Sequence, residues 1–431
     1  MYMKSNETAA SNGVMRPWKR AWLSYSNLAH IVSICFIMVS RRPDAILHPQ
    51  FWAEDGQVFY HDAYTFGLSS LWLPLGGYLN TLSRLTALIV QPFPLLYVPA
   101  LFAGCAAFFQ VLPVIIMLSR RMDAVIPSMP ARLAICYFYA LLPNSSELNL
   151  NLTNAQWHLA LAAFLTLISL PADHKSDGKF DRALLALSGL SGPFGLVLTP
   201  LAWLGYIRSR AGLLHALILT FVTAVQIGVI LTHHAVGSRV LTPLGASPLR
   251  LMEIIQNQIV LGGLIGALLM KVYQNAIPFL WFAIGDIFIT ATAVAIGLIA
   301  FRQGSWVYRQ SVLLAIALLA AALVSPVAST SQPQWQAMTY SGDAMRYFST
   351  PTLVWFTTAL VCLGSTAKYL KVAGMVILVS AFVGGFFSFQ YPPFQPTGFS
   401  AEAVQFETAA AGTVWVFPEN PPGWAMTLVK H

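Results

Sequence analysis

The stretch HPQFWAEDGQVFYHDAYTFG, residues 48–67, sets two adjacent carboxylates, Glu54 and Asp55, among Phe51, Trp52, Phe59, Tyr60, Tyr64 and Phe66. An apolar aromatic setting disfavours the charged form of a carboxyl, so its pKa rises toward the range useful for taking a proton from a hydroxyl. The same pattern also suits an interfacial amphipathic helix with a solvated acidic edge. A second constellation is SGDAMRYFSTP, residues 341–351. There the Arg346 guanidinium can grip a phosphate with two parallel hydrogen bonds and the Tyr347 hydroxyl can add a third, or the two can simply anchor a helix end at the bilayer surface. Arg84, in GYLNTLSRL at 77–85, is flanked by apolar sequence and needs a partner. The third group is NLTNAQWHL, residues 151–159. Asn151, Asn154, Gln156, Trp157 and His158 offer amides for sugar hydroxyls and a ring face for sugar C–H groups, or equally a capped helix start beside an interfacial Trp. Asp286 stands in the apolar run WFAIGDIFITA, either in a proton relay or in one interhelical hydrogen bond.

The elements that position these groups follow from composition. Of 431 residues, 57% are hydrophobic and 9% charged, against about 25% charged in a soluble domain. That excludes a cytosolic globular enzyme and a disordered regulator. The expectation is an all-α polytopic membrane protein with about eleven spans, at 21–40, 93–118, 131–144, 157–171, 183–207, 212–233, 251–272, 277–301, 310–328, 348–366 and 371–390. Ser-Gly-Pro at 191–193 and Pro200 leave 183–207 open between one kinked span and a tight hairpin; a hairpin requires 251–272 to re-enter or lie in the interface. Cys35, Cys105, Cys136 and Cys362 lie in apolar runs without metal-ligand spacing and read as packing residues.

The net charge of +8 reads as topology rather than nucleic-acid binding, since no dense basic cluster interleaves with aromatics. Lys4, Arg16, Lys19, Arg20, Arg120, Arg121, Arg132, Lys175, Lys179, Arg182, Arg302, Arg309, Lys368 and Lys371 gather on one side, which places the N-terminus in the cytoplasm. Arg41, Arg42, Arg84, Arg346 and Lys430 fall outside. Residues 1–390 form the transmembrane domain, including the long first outer loop 41–92. A second outer loop covers 329–347, and the outer tail 391–431 is expected to pair short strands at 413–417 and 424–429. No P-loop, GxGxxG, HExxH or GxSxG is present, so neither nucleotide hydrolysis nor a nucleotide-sugar donor is indicated.

The first outer loop resembles that of the C-type membrane glycosyltransferases, the GT-C fold, in which an acidic motif followed by a Tyr lies just beyond the first helix. Asp55 with Tyr60, after Trp52-Ala53-Glu54, carries the likeness; Gly56 departs from it, standing where many relatives have a second acid. The resemblance implies a bacterial inner-membrane enzyme that transfers a sugar from a polyprenyl-phosphate donor to a glycan or lipid acceptor hydroxyl on the periplasmic face. Asp55 would be the base, Glu54 would orient it, and Arg346 would grip the donor phosphate, with inversion at the anomeric carbon. Tyr347, Arg84, Tyr60, Asn154, Gln156, Trp157 and His158 complete the expected substrate contacts; no cofactor is implied, and paired-acid metal binding is not indicated. The rival class is a transporter or flippase for a lipid-linked glycan or small solute, which the broken segment and Asp286 would suit.

Overall fold

A computed structural model describes residues 24–169, 175–233, 242–276 and 279–431. The basic tail with Lys4, Arg16, Lys19 and Arg20, the start of the span expected at 21–40, and Arg239 lie outside the described residues. The chain is mostly helical, with one small antiparallel sheet near its C-terminal end. Five helices among the described residues are long and apolar enough to cross a membrane: Leu95–Leu118, Leu213–Thr232, Ile284–Gln303, Trp306–Val324 and Lys368–Phe387. A sixth arises if the bent pair Pro248–Val260 and Gly262–Ala276 counts as one span. Helix length therefore supports five or six spans where the sequence reading expects eleven. Met129–Leu141, Ala155–Ile168 and Ser349–Leu363 are apolar but shorter than the ~20 residues a straight crossing needs.

Residues 183–207 form a hairpin, and its direction can be followed along a neighbour. The helix Lys175–Leu190 runs parallel to Leu213–Thr232, because Asp181 lies near His215 while Gly189 packs on Leu219 and Val222. Gly192 then takes a left-handed φ of +100° and the chain reverses. The helix Gly195–Ser209 runs back along the same neighbour: the Thr199 and Thr223 hydroxyls meet at 2.8 Å, and Trp203 Nε1 donates to Thr220 Oγ1 at 2.9 Å.

The segment expected as a span at 251–272 is not one straight helix. It is broken into two helices bent by 104°. The cause is Gln256-Asn257-Gln258, three amides in the π-helical turn Ile255–Val260. They bond sideways: Asn257 Nδ2 donates to Thr339 O (3.0 Å), and Gln258 Nε2 reaches Met338 O (2.9 Å), Tyr340 O (2.6 Å) and Asp343 O (3.1 Å). Gln256 donates to Asp286, so the buried carboxyl of the apolar helix is met by one interhelical hydrogen bond. Irregular backbone among apolar helices survives only where protein covers it, and here the 338–343 loop does so.

One end of the bundle gathers the first loop, residues 142–154, the 325–348 loop and the tail. Arg41, at the end of the Tyr25–Arg41 helix, donates to Ala140 O (2.7 Å), Leu142 O (3.0 Å), Ser388 O (2.9 Å) and Phe389 O (3.0 Å). These are carbonyls at the ends of two other helices, groups that helix geometry leaves without intrahelical partners. The tail strands form as expected, the first starting one residue later and ending two residues later: β1 (Val414–Glu419) pairs antiparallel with β2 (Trp424–Val429), from Val414 opposite Val429 to Glu419 opposite Trp424. Alternation buries Phe417, Met426 and Leu428, and Phe417 packs on Phe399 and Phe406 of the helix Phe399–Thr408. Past β1, Asn420 joins the first loop: Ala53 N donates to Asn420 O (2.6 Å) and Asn420 N to Phe51 O (3.2 Å).

Candidate active site

The acidic pair sits where the first loop turns into helix. Ala53 takes a φ of +49°, uncommon for a residue with a side chain, and a π-helical turn runs from Asp55 to Tyr60. Both features recur at functional positions. The turn aims its two carboxyls differently. Asp55 is buried and both its oxygens are engaged: Oδ1 accepts from Thr153 N (2.7 Å) and Thr153 Oγ1 (2.7 Å), and Oδ2 from Leu152 N (3.0 Å). Burial pushes its pKa up to about 7, against the pull of these donors. Glu54 is half-buried and faces Thr153, Arg346 and Glu147. Burial raises its pKa as well, its own backbone N–H and Arg346 lower it, and Glu147 raises it.

Arg346 arrives from the 338–347 loop that the broken helix clamps. Its guanidinium is paired with Glu147 and also donates to Val327 O, and its backbone N–H donates to the other Glu147 oxygen at 3.3 Å. Burial works against its charge, but Glu147 and Tyr347 outweigh that and hold the guanidinium more firmly protonated than usual. Ala344, two residues earlier, has a φ of +50°. The Tyr347 hydroxyl accepts from Val327 N (2.9 Å), and its ring stands edge-on to Trp157 at 5.7 Å.

The tail brings a carboxyl that sequence reasoning did not single out. Glu419 is buried against Gly56, its Oε2 accepting from Gln57 N at 3.2 Å, with Asp55 and Glu54 close enough to raise its pKa further beyond the effect of burial. Glu147, the partner of Arg346, is a second carboxyl that sequence reasoning did not single out. Among the described residues no three His, Cys, Asp or Glu side chains are arranged to hold a metal ion.

Several expected contacts lie elsewhere. Arg84 finds its partner in Asp62 (2.9 Å), which His61 also approaches (3.1 Å), and its guanidinium lies over the Phe59 ring. Tyr60 stacks between Phe51 and Tyr64, on the side of Glu407 rather than of the acid pair. Asn154 caps its own loop through Glu147 O (2.9 Å) and Asn151 Oδ1 (3.1 Å). His158 bridges Tyr139 Oη (2.6 Å) and Leu148 O (3.0 Å). Gln156 and Trp157 differ, since Gln156 Oε1 and Trp157 Nε1 are buried without a hydrogen-bond partner. Of the expected set, then, Glu54, Asp55, Arg346, Tyr347 and Trp157 belong to one connected neighbourhood, and Arg84, Tyr60, Asn154 and His158 have structural partners.

No family model, curated protein or solved structure matches this chain.

Proposed function

We propose that the chain is a membrane glycosyltransferase of the GT-C type, with eleven crossings and a cytoplasmic N-terminus, transferring a sugar from a polyprenyl-phosphate donor to an acceptor hydroxyl at the outer face of a bacterial inner membrane. One observation carries the reading: three segments far apart in sequence bring Glu54, Glu147 and Arg346 to one end of the bundle. A polyprenyl phosphate is a capable leaving group, so the chemistry asks for one base at the acceptor hydroxyl and one cation where phosphate charge develops. Glu54 takes the role of base, because it is the carboxyl with an open side, while Asp55 has both oxygens committed to Leu152 and Thr153. This exchanges the roles first expected within the pair. Arg346, held at the site by Glu147, meets the phosphate with the remainder of its fork. The spare polar atoms of Gln156 and Trp157 suit sugar hydroxyls.

The test is sugar transfer in proteoliposomes. Glu54→Gln should slow transfer by about 10²–10⁴ with donor binding retained, and Arg346→Ala should weaken donor binding as well. Full activity in both Glu54→Gln and Asp55→Asn would remove the site from the chemistry.

One observation favours a second reading. A helix broken by 104° beside Asp286 is the kind of element that lines a transporter's substrate path. Solute uptake that depends on Asp286 and survives Glu54→Gln would select that reading.

A further inference from the structure

We propose that Glu419 is a third functional carboxyl of this site, a positioning residue delivered by the C-terminal tail that seats the Glu54–Asp55 turn and sets its charge balance. What the turn is positioned to do rests on the transferase reading; the seating does not.

Three observations converge. A Cβ at position 56 would overlap the Glu419 carboxyl, so the tail's side chain fills the space that glycine leaves on the acidic turn. Glu419 Oε2 accepts the Gln57 N–H at 3.2 Å, one of the first amides of a helical run and therefore one without an intrahelical acceptor. The tail thus caps the turn in trans, as a capping carboxylate does from within the chain. Finally, Glu419 Oε1 is buried with no hydrogen-bond partner, and the residue is 3% exposed.

An unpartnered carboxylate oxygen enclosed beside two more acids is costly as an anion and much less so as an acid. Burial pushes the Glu419 carboxyl up to about 9, the Gln57 N–H pulls it down, and Asp55 and Glu54 push it up. The charged groups it faces are Glu54 and Asp55 on the turn, with Arg346 and Glu147 across Glu54. Its neighbours Asn420 and, across the sheet, Trp424 carry no charge. A proton resident on Glu419 removes one negative charge from the cluster, which leaves Glu54 free to ionise opposite Arg346.

The experiment uses the full chain in lipid nanodiscs. Infrared spectra at neutral pH should contain protonated-carboxyl absorption from Glu419 beside that of Asp55; the Glu419 band fades as pH passes about 9, above the range where Asp55 ionises, and is missing in Glu419→Gln. Hydrogen exchange at the Gln57 amide should stay slow in Glu419→Gln, whose amide oxygen still accepts the bond, and quicken about tenfold in Glu419→Ala. A missing band, a band unchanged by Glu419→Gln, or unaltered Gln57 exchange in Glu419→Ala would overturn the proposal. If the band and the exchange behave as expected but no variant, nor the wild type, transfers sugar, the seating role stands and the transferase reading falls.

Discussion

Glu147 binds Arg346 twice, once at the guanidinium and once at the backbone N–H. One carboxylate therefore fixes both a cation and the turn that presents it, joining the loop before the Ala155–Ile168 helix to the loop before Ser349–Leu363.

Breaking that pair from one side leaves a half-buried charge behind. Arg346→Ala should lower stability by about 1–3 kcal/mol, and Glu147→Gln by less, since an amide oxygen still accepts. The combined variant should cost less than the sum. Thermal unfolding in detergent measures all three; strict additivity would mean that the two residues are not coupled.

The seat at Gly56 can be probed by size alone. Gly56→Ala places a methyl against the Glu419 carboxyl and the Phe51 ring, an overpacking that costs about 1–3 kcal/mol. Adding Glu419→Ala should recover part of the loss. No recovery in the double variant would show that the methyl clashes only with Phe51.

Stability should depend on pH with a definite sign. Asp55 at about 7 and Glu419 at about 9 both sit above the ordinary carboxylate range in the folded protein. The folded state therefore binds more protons than the unfolded state between about pH 4 and 9, and stability falls as pH rises through that window. Melting temperature followed from pH 5 to 9 should decline, with Glu419→Gln flattening the upper part and Asp55→Asn the lower. A curve rising over that range would contradict both assignments.

The hairpin makes the proposed sidedness testable. Single cysteines at Ser69, Gln332 and Thr408, all exposed, should react with an impermeant reagent in intact cells. Cysteines at Ala211 and Gln303, also exposed, should react only after lysis. Labelling of Ala211 together with Ser69 would mean that 183–207 crosses once.

The reading from sequence succeeded where the signal is local. The tail strands were legible because two short runs rich in Val, Trp and Phe or Leu, 413–417 and 424–429, flank a Pro-Gly turn. The acid pair was visible as a rare cluster in an acid-poor chain. The break at Ile255–Val260 was missed because Leu251, Met252, Ile254, Ile255, Ile259 and Val260 make the average apolar, although Gln256-Asn257-Gln258 was a readable warning. The roles within the acid pair were not legible, since they depend on Thr153, which meets Asp55 across 98 positions. Nor was Glu419: Gly56 looked like a missing acid, and the space it leaves is filled from the far end of the chain.

That distance also sets an order of assembly. The bond from Gln57 to Glu419 spans 362 positions, and synthesis proceeds at roughly 5–20 residues per second. The acidic turn must therefore stand uncapped on the order of tens of seconds while the helices behind it are made and inserted. A chain that has not yet reached residue 419 lacks the carboxyl that seats the turn, so this end of the fold is completed last.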